Sequence, residues 1–177
     1  RIERLITDYS QILKDEVALN KEKFKKIDIV PIIQSVVDDF NNIYQVKRGI
    51  KISCMNVGSK THLIYGIGNR IEQIVANLLD NAISFSENDK NIEVKISKNL
   101  KKQVVINILD EGLGFKEKDT TKIFKRFYSN RPDKFGQHSG LGLNIVKNLV
   151  DLHNATIKAS NRRDQTGANM EIVFPKV

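Results

Sequence analysis

The sequence has few of the residues that mark a disulfide-rich or membrane-spanning protein. Its single cysteine, Cys54, excludes an internal disulfide framework and fits a reducing compartment. No apolar run approaches the roughly 20 residues that span a bilayer, and the N-terminus is charged rather than signal-like. Apolar residues still make up 40% of the 177 residues, which is enough for a buried core. The composition therefore indicates one globular domain with a short appendage.

Positive charge exceeds negative charge, with a formal net charge of +8 and an isoelectric point near 9.5. Such a balance suggests nucleic-acid binding. The lysines are scattered rather than gathered in one run, however, and no DNA-reading signature is present. We therefore expect a solvated basic surface that favours an anionic nucleotide and an acidic partner, with no nucleic acid as a partner.

Residues 1–20 have the pattern of an amphipathic helix. Apolar side chains recur at three- and four-residue intervals, at Ile2, Leu5, Ile6, Tyr9, Ile12 and Leu13. A helix of this length is marginal alone and buries such a stripe only against a partner helix. We interpret it as the truncated end of a helical module that precedes a domain at 21–177. The alternative is an ordinary first helix packed on that domain.

The rest of the chain alternates between short strand patterns and three helical patterns. Asp28 is placed to cap the first helix, with Pro31 in its first turn, and Asn69 is placed to cap the second. Helices are expected at about 29–46, 69–85 and 141–153, and strands at 24–27, 50–54, 63–65, 92–97, 104–109, 155–160 and 169–174. The sequence thus predicts an α/β fold, a two-layer sandwich whose mixed sheet is covered on one face by three helices and preceded by the N-terminal helix.

A polar, glycine-punctuated stretch at 111–139 interrupts these patterns, with one short helical piece at 121–127. A loop this long inside a compact domain is usually either functional or disordered. We expect it to be a lid.

Two asparagines on the second predicted helix suit a magnesium–nucleotide site. Asn77 and Asn81 are four residues apart, so their side chains lie on one face. Magnesium keeps several waters and takes few protein oxygens beside substrate phosphates. An amide oxygen fits because it does not neutralise the metal charge that the phosphates need. In isolation, such a pair is more often simply two exposed asparagines.

Two glycine loops supply the remaining parts of a nucleotide pocket. Asp110 precedes Gly112-Leu113-Gly114, and a carboxylate, which only accepts hydrogen bonds, matches the amine of adenine and rejects the oxygen of guanine. The glycines let the backbone approach base and ribose. Gly140-Leu141-Gly142-Leu143 opens the third helix, where backbone N–H groups and the helix dipole favour phosphate. Each motif is a common turn alone, but their fixed order indicates a pocket for a magnesium–adenine nucleotide.

In this order the motifs resemble the catalytic, ATP-binding domain of bacterial two-component sensor histidine kinases, a Bergerat-type fold shared with gyrases, heat-shock chaperones and mismatch-repair ATPases. The resemblance covers about residues 24–175 and implies ATP and Mg²⁺ as ligands. It implies that Asn77 and Asn81 are the catalytic N-box residues, with Asn81 the firmer magnesium ligand, and that Phe85 stacks on adenine. The other implied ATP-binding residues are Asp110, Gly112 and Gly114 (G1 box), Phe124, Arg126 and Phe127 (F box and its neighbour), and Ser139, Gly140, Leu141, Gly142 and Leu143 (G2 box).

Within that family, the stretches at 81–86, 126–128, 131–132, 135–136 and 139–143 are most similar to ChvG/ExoS-type envelope sensors of alphaproteobacteria. Many relatives carry a lysine soon after the second N-box asparagine, whereas Ile83 and Ser84 stand here. We therefore expect another cation, Arg126, Arg131 or Lys134, to contact phosphate. In place of the usual glycine after His153, Asn154 can adopt the same left-handed turn.

The family's phosphoacceptor histidine motif is absent from this sequence. We expect His62 and His153 to be structural and His138 to border the phosphate site. The resemblance then implies the phosphodonor part of a kinase whose partners are its own dimerisation and phosphoacceptor domain, in the full-length homodimer, and a response-regulator receiver domain. It also implies a cytoplasmic domain of an inner-membrane sensor, with membrane contact only through upstream segments.

Asn77 separates phosphoryl transfer from hydrolysis. In the related ATPases a glutamate at this place activates water, whereas an amide does not accept that proton at neutral pH. Transfer to a protein histidine is therefore favoured, and we expect a histidine kinase domain. Three alternatives stay open: a non-catalytic Bergerat-type binding module controlled by nucleotide, an anti-sigma-like serine kinase, and a basic nucleic-acid-binding domain.

Overall fold

The computed structural model describes residues 23–126, 128 and 140–177, so the predicted helix at 1–20 and much of the second half of the predicted lid lie outside it. Strands and helices alternate through the described ranges. In chain order they are β1 (Lys25–Asp28), α1 (Ile29–Arg48), β2 (Lys51–Asn56), β3 (Leu63–Gly66), α2 (Gly68–Phe85), β4 (Asn91–Lys98), β5 (Val104–Leu109), a 3₁₀ turn (Thr121–Phe124), α3 (Gly142–Leu152), β6 (Thr156–Asn161) and β7 (Ala168–Val173).

The strands form two sheets. Five of them make a sheet in the order β2-β4-β5-β7-β6. Its β2–β4 pair is parallel and its other pairs are antiparallel, so the sheet is mixed, as predicted. The four-residue strands β1 and β3 pair with each other as a separate antiparallel ribbon, a division that strand patterns alone do not indicate.

The core lies between the five-stranded sheet and the helices. Alternation along β4 turns Ile92, Val94 and Ile96 inward, each fully buried, and leaves the intervening polar side chains on the other face. The facing stripe of α2 includes the buried residues Ile71, Ile74, Val75 and Leu78. The predicted two-layer α/β sandwich is therefore confirmed. Among the described residues, no helix is long and apolar enough to cross a membrane.

The helix ends show where local signals hold and where tertiary contacts replace them. Asp28 caps α1 as predicted, with Oδ1 accepting from the Val30 N–H at 3.1 Å. The predicted cap at Asn69 is wrong, because α2 begins at Gly68 and its cap position is Ile67, which makes no side-chain cap hydrogen bond. The Ile67 N–H instead donates to Nε2 of His153 at 3.2 Å. A contact between distant segments, rather than a capping side chain, therefore holds the residue that precedes α2.

Two shorter features complete the comparison with the sequence. The helical piece expected at 121–127 is a 3₁₀ turn that ends at Phe124, followed by an extended Lys125. Asn154 has a φ of 52°, which confirms the expected left-handed turn between α3 and β6.

Candidate functional site

Three segments bring the candidate residues together: the C-terminal half of α2, the loop after β5, and the start of α3. Buried Leu78 and Ala82 fix the rotation of α2 against the core. Asn77 and Asn81, one residue before each of them, are half-buried and share the next face of the helix. The pattern of the helix alone thus places both amides at the border between core and solvent.

Asn77 lies against the start of α3. Its Nδ2 donates to the carbonyl of Gln73 at 2.8 Å, which leaves Oδ1 directed away from the helix backbone. A Cβ built on Gly142 would lie 3.4 Å from that Oδ1. The N-box and G2-box residues, far apart in sequence, are therefore neighbours in space.

The donor set on this face suits a hard cation held partly by other ligands. The described residues contain no cluster of three or more histidine, cysteine, aspartate or glutamate side chains that could hold a metal. Amide oxygens of Asn77 and Asn81 are neutral ligands, which fit Mg²⁺ when phosphate and water complete its coordination. They are a poor fit for Zn²⁺, which takes thiolate, imidazole or carboxylate ligands.

Asp110 is a buried carboxylate in a fixed orientation, with 5% of its surface exposed. Oδ1 accepts from the backbone N–H of Gly112 at 2.8 Å and of Ala168 at 3.1 Å. Burial raises the pKa of this carboxyl, while those two N–H groups and the Arg162 guanidinium oppose the rise. Within the described part of the chain, Oδ2 makes no hydrogen bond, so the group has one acceptor left for a ligand.

The two glycines after Asp110 pack against the protein itself. A Cβ on Gly112 would lie 2.8 Å from the carbonyl oxygen of Phe85, the last residue of α2. Gly114 has a φ of +71°, and a Cβ there would lie 2.6 Å from Oδ1 of Asn161. Contacts within the protein thus already require glycine at both positions. The close approach at Gly112 also places the end of α2, at Phe85, against the loop.

The region around the 3₁₀ turn is tied to α3 through one residue that the sequence did not single out. Asn144 donates from Nδ2 to the carbonyl of Phe124 at 3.1 Å, and its Oδ1 accepts from Nε of Arg126 at 3.3 Å. The Phe124 side chain packs against the core, whereas Arg126 is exposed. Phe127, like the alternative cations Arg131 and Lys134, lies outside the described residues.

The start of α3 has the form expected of an anion-binding helix end. Gly140 has a φ of 72°, Leu141 is buried, and Gly142 is the first helical residue. Leu141 occupies the cap position, and no side-chain cap hydrogen bond is made there within the described residues. Leu143 is half-buried and packs against the core. Ser139 is not among the described residues.

The described histidines are buried inside the fold, as expected for structural residues. His153 is 2% exposed, with Nδ1 2.7 Å from the carbonyl of Leu149 and Nε2 accepting from Ile67. Burial lowers the pKa of both His153 and His62. These contacts hold His153 as a neutral imidazole that donates from Nδ1. His138 lies outside the described residues.

Comparison with known proteins matches most of the chain to one family. The model of the family described as "Histidine kinase-, DNA gyrase B-, and HSP90-like ATPase" matches residues 66–177. The sensor protein ChvG of Agrobacterium fabrum is similar, with 34% identity over 174 residues, which cover 94% of this chain and 29% of the relative. ChvG of Rhizobium meliloti is 31% identical over 175 residues, which cover 94% and 30%. The chain thus spans about 30% of the length of these relatives.

Solved structures confirm the fold. A mycobacterial sensor histidine kinase, MprB, has a TM-score of 0.72 at 22% identity and covers 86% of this chain and 97% of its own. The catalytic domain of the histidine kinase ThkA has a TM-score of 0.74 at 23% identity, with coverage of 87% and 98%.

Proposed function

Because this chain belongs to the histidine kinase-, DNA gyrase B- and HSP90-like ATPase family, we propose that it is the ATP-binding catalytic domain of a two-component sensor histidine kinase. It binds Mg-ATP and donates the γ-phosphate to a histidine of the dimerisation domain, which then phosphorylates a response regulator. The observation that carries the proposal is the position of Asn77. An amide oxygen, not a carboxylate, faces the first residue of α3, 3.4 Å from the place of a Cβ on Gly142.

Different candidate residues contact the base, the phosphates and the metal of the nucleotide. Oδ2 of Asp110 accepts a hydrogen bond from the adenine amine, since Oδ1 is already engaged by two backbone N–H groups. The start of α3, at Gly142, offers N–H groups and the positive end of its dipole to the phosphates. Asn81, with Asn77, holds the metal, which offsets the negative charge of the phosphates. Of the three cations expected to contact phosphate, Arg126 is the one that lies in the described part of the chain, and its Nε donates to Oδ1 of Asn144 at 3.3 Å.

Positioning supplies most of the chemistry of phosphoryl transfer. With Asn77 in place of a general base, water is not activated at this position. The nucleophile is therefore an imidazole brought by the dimerisation domain, which attacks the γ-phosphorus as ADP leaves. The serine-kinase and non-catalytic alternatives require the same pocket and differ only in what approaches it.

Further parts of the proposal follow from the ChvG likeness. Residues 1–20 are the end of the dimerisation and phosphoacceptor module, and 21–177 are the catalytic domain with a lid at about 111–139. The complete protein is a homodimeric inner-membrane envelope sensor with this domain in the cytoplasm. Its partners are its own phosphoacceptor domain and a receiver domain.

Isothermal titration calorimetry tests the pocket first. ATP and ADP should bind in the presence of Mg²⁺, and GTP should bind at least about tenfold more weakly, because guanine leaves the Asp110 acceptor unpaired. If neither the adenine nor the guanine nucleotides bind, the proposed function is wrong. If ATP binds but no phosphate reaches a histidine acceptor supplied in trans, the non-catalytic module becomes the better account.

A further inference from the structure

Asn161, the last residue of β6, clamps the backbone of the loop that follows Asp110. Its Oδ1 accepts from the N–H of Phe115 at 2.6 Å, and its Nδ2 donates to the carbonyl of the same residue at 2.9 Å. The amide side chain thereby satisfies both backbone groups of Phe115, as a neighbouring strand would. The Phe115 side chain packs against the core. The loop is therefore held at this residue through both its backbone and its side chain.

The clamp lies directly against the glycine that gives the loop its turn. Gly114 has a φ of +71°, and a Cβ there would lie 2.6 Å from Oδ1 of Asn161 and 3.1 Å from the carbonyl oxygen of Gly167. Asn161 thus determines how closely the loop approaches the end of the sheet. The backbone conformation of residues 110–115 therefore depends on the contact between Gly114 and Asn161.

Neighbouring residues of the same strand end reinforce the clamp on both sides. Arg162 donates from Nη1 to the carbonyl of Asp110 at 3.3 Å and pairs with Asp164 at 2.6 Å. Further along, the hydroxyl of Thr120 donates to the carbonyl of Ala159 at 2.6 Å. The loop from 110 to 120 is therefore supported along its length by residues 159–162.

From this geometry we propose that Asn161 is a positioning residue of the adenine site: it holds the loop at Gly114 and Phe115 so that the Asp110 carboxylate and the loop backbone meet the base in one arrangement. This inference rests on the proposed function. Asn161 touches no reacting atom and acts through the loop. Its removal should leave the fold in place and weaken nucleotide binding.

The chain offers a matched control. Asn41 makes the same two-bond clamp, donating from Nδ2 to the carbonyl of Ile52 at 2.7 Å and accepting from the Ile52 N–H at 2.8 Å. It joins α1 to β2, elements that carry none of the candidate site residues. Asn41→Ala and Asn161→Ala therefore delete the same hydrogen bonds at different places.

The experiment measures ADP affinity by calorimetry, thermal stability without nucleotide, and amide hydrogen exchange of Phe115. Asn161→Ala should raise the Kd for ADP about tenfold, which corresponds to roughly one lost hydrogen bond, and should speed exchange at Phe115. Asn41→Ala should lower stability with a change in Kd of less than about twofold, since its clamp lies outside the site. Asn161→Asp keeps the acceptor for the Phe115 N–H but sets a second carboxylate oxygen against the Phe115 carbonyl, so it should also raise the Kd for ADP and speed exchange at Phe115.

The outcomes separate this inference from the function on which it rests. An unchanged Kd for Asn161→Ala, with ADP still bound by the wild type, would overturn the positioning role and leave the proposed function standing. An equal loss of affinity in both alanine variants would also overturn it, because the effect would then be general. If the wild type binds no ADP, the proposed function itself fails. Should Asn161→Ala not fold, Asn161→Asp and its Phe115 exchange rate decide the matter by the same criteria.

Discussion

Replacing Asp110 by asparagine should separate nucleotide binding from folding, because the two respond in opposite directions. The carboxylate is 5% exposed, and burial is the largest influence on its raised pKa. In the fold, the ionised form is therefore less favourable than in the unfolded chain. A raised carboxyl pKa means that stability is lost as pH rises through the folded pKa, so at pH 7 the ionised side chain opposes folding.

The asparagine fits the same space and keeps the existing hydrogen bonds. Its amide oxygen takes the place of Oδ1 and accepts from Gly112 and Ala168, at the present 2.8 and 3.1 Å. The NH₂ group then stands where Oδ2 was and turns a donor toward the donor of the adenine amine. One lost hydrogen bond with its partner left unpaired costs about 1–3 kcal/mol. The Kd for ADP should therefore rise about 5- to 150-fold.

Calorimetry with ADP and thermal melting without nucleotide measure the two effects. For Asp110→Asn we expect the weaker binding above and a melting temperature that is unchanged or raised. Asp151→Asn is a suitable control because it removes one exposed carboxylate, paired with Lys147, near the C-terminal end of α3. It should leave ADP affinity unchanged. If Asp110→Asn binds ADP as the wild type does, the base is not read by Asp110.

Three further outcomes follow from the same contacts. As pH falls toward the raised pKa of Asp110, ADP affinity should fall, beginning above the ordinary value of 3.8, and pH-dependent calorimetry that shows no such loss counts against the carboxylate as acceptor. Because the pKa of His153 is lowered in the fold, stability should decline as pH drops below 6.5. His153→Gln retains a neutral acceptor, so its melting temperature should depend less on pH than that of the wild type between about pH 6.5 and 5. An unchanged pH dependence would show that His153 is not the buried neutral group responsible. Asn77→Asp places a carboxylate at the position where related ATPases activate water, so release of free phosphate from ATP should rise in a phosphate assay. No increase would show that the residue at 77 does not decide between transfer and hydrolysis.

The sequence indicated those parts of the fold in which local pattern and tertiary structure agree. The hairpin at 92–97 and 104–109 has strict alternation in its first strand and a β-branched, apolar second strand, and β4 and β5 form it with bounds that differ by at most one residue. The start of α2 was missed because Ile67 is held by His153, 86 residues away, and no cap signal records such a contact. The pairing of β1 with β3 in a separate ribbon was also missed, because a four-residue strand does not show by its pattern which strand it pairs with.

The candidate site was proposed from motifs rather than from residue spacing. The proximity of Asn77 to Gly142 follows from the packing of α2 on α3, and periodicity in neither helix indicates which turns meet. The supporting residues Asn144 and Asn161 were not found at all. A single asparagine near a helix start or at a strand end is common, and only the fold shows that Asn161 reaches a loop 46 residues earlier in the chain.

Phosphate transfer from γ-labelled ATP tests the central claim most directly. The chain is incubated alone and with a full-length sensor kinase of this family whose own ATP site has been inactivated. We predict that the chain alone stays unlabelled and that label appears slowly on the partner's histidine, as an acid-labile and alkali-stable phosphate, because docking is no longer intramolecular. Asn81→Ala should abolish the transfer. Stable label on His62, His138 or His153 of this chain, or phosphate released to water faster than it reaches the acceptor, would contradict the account.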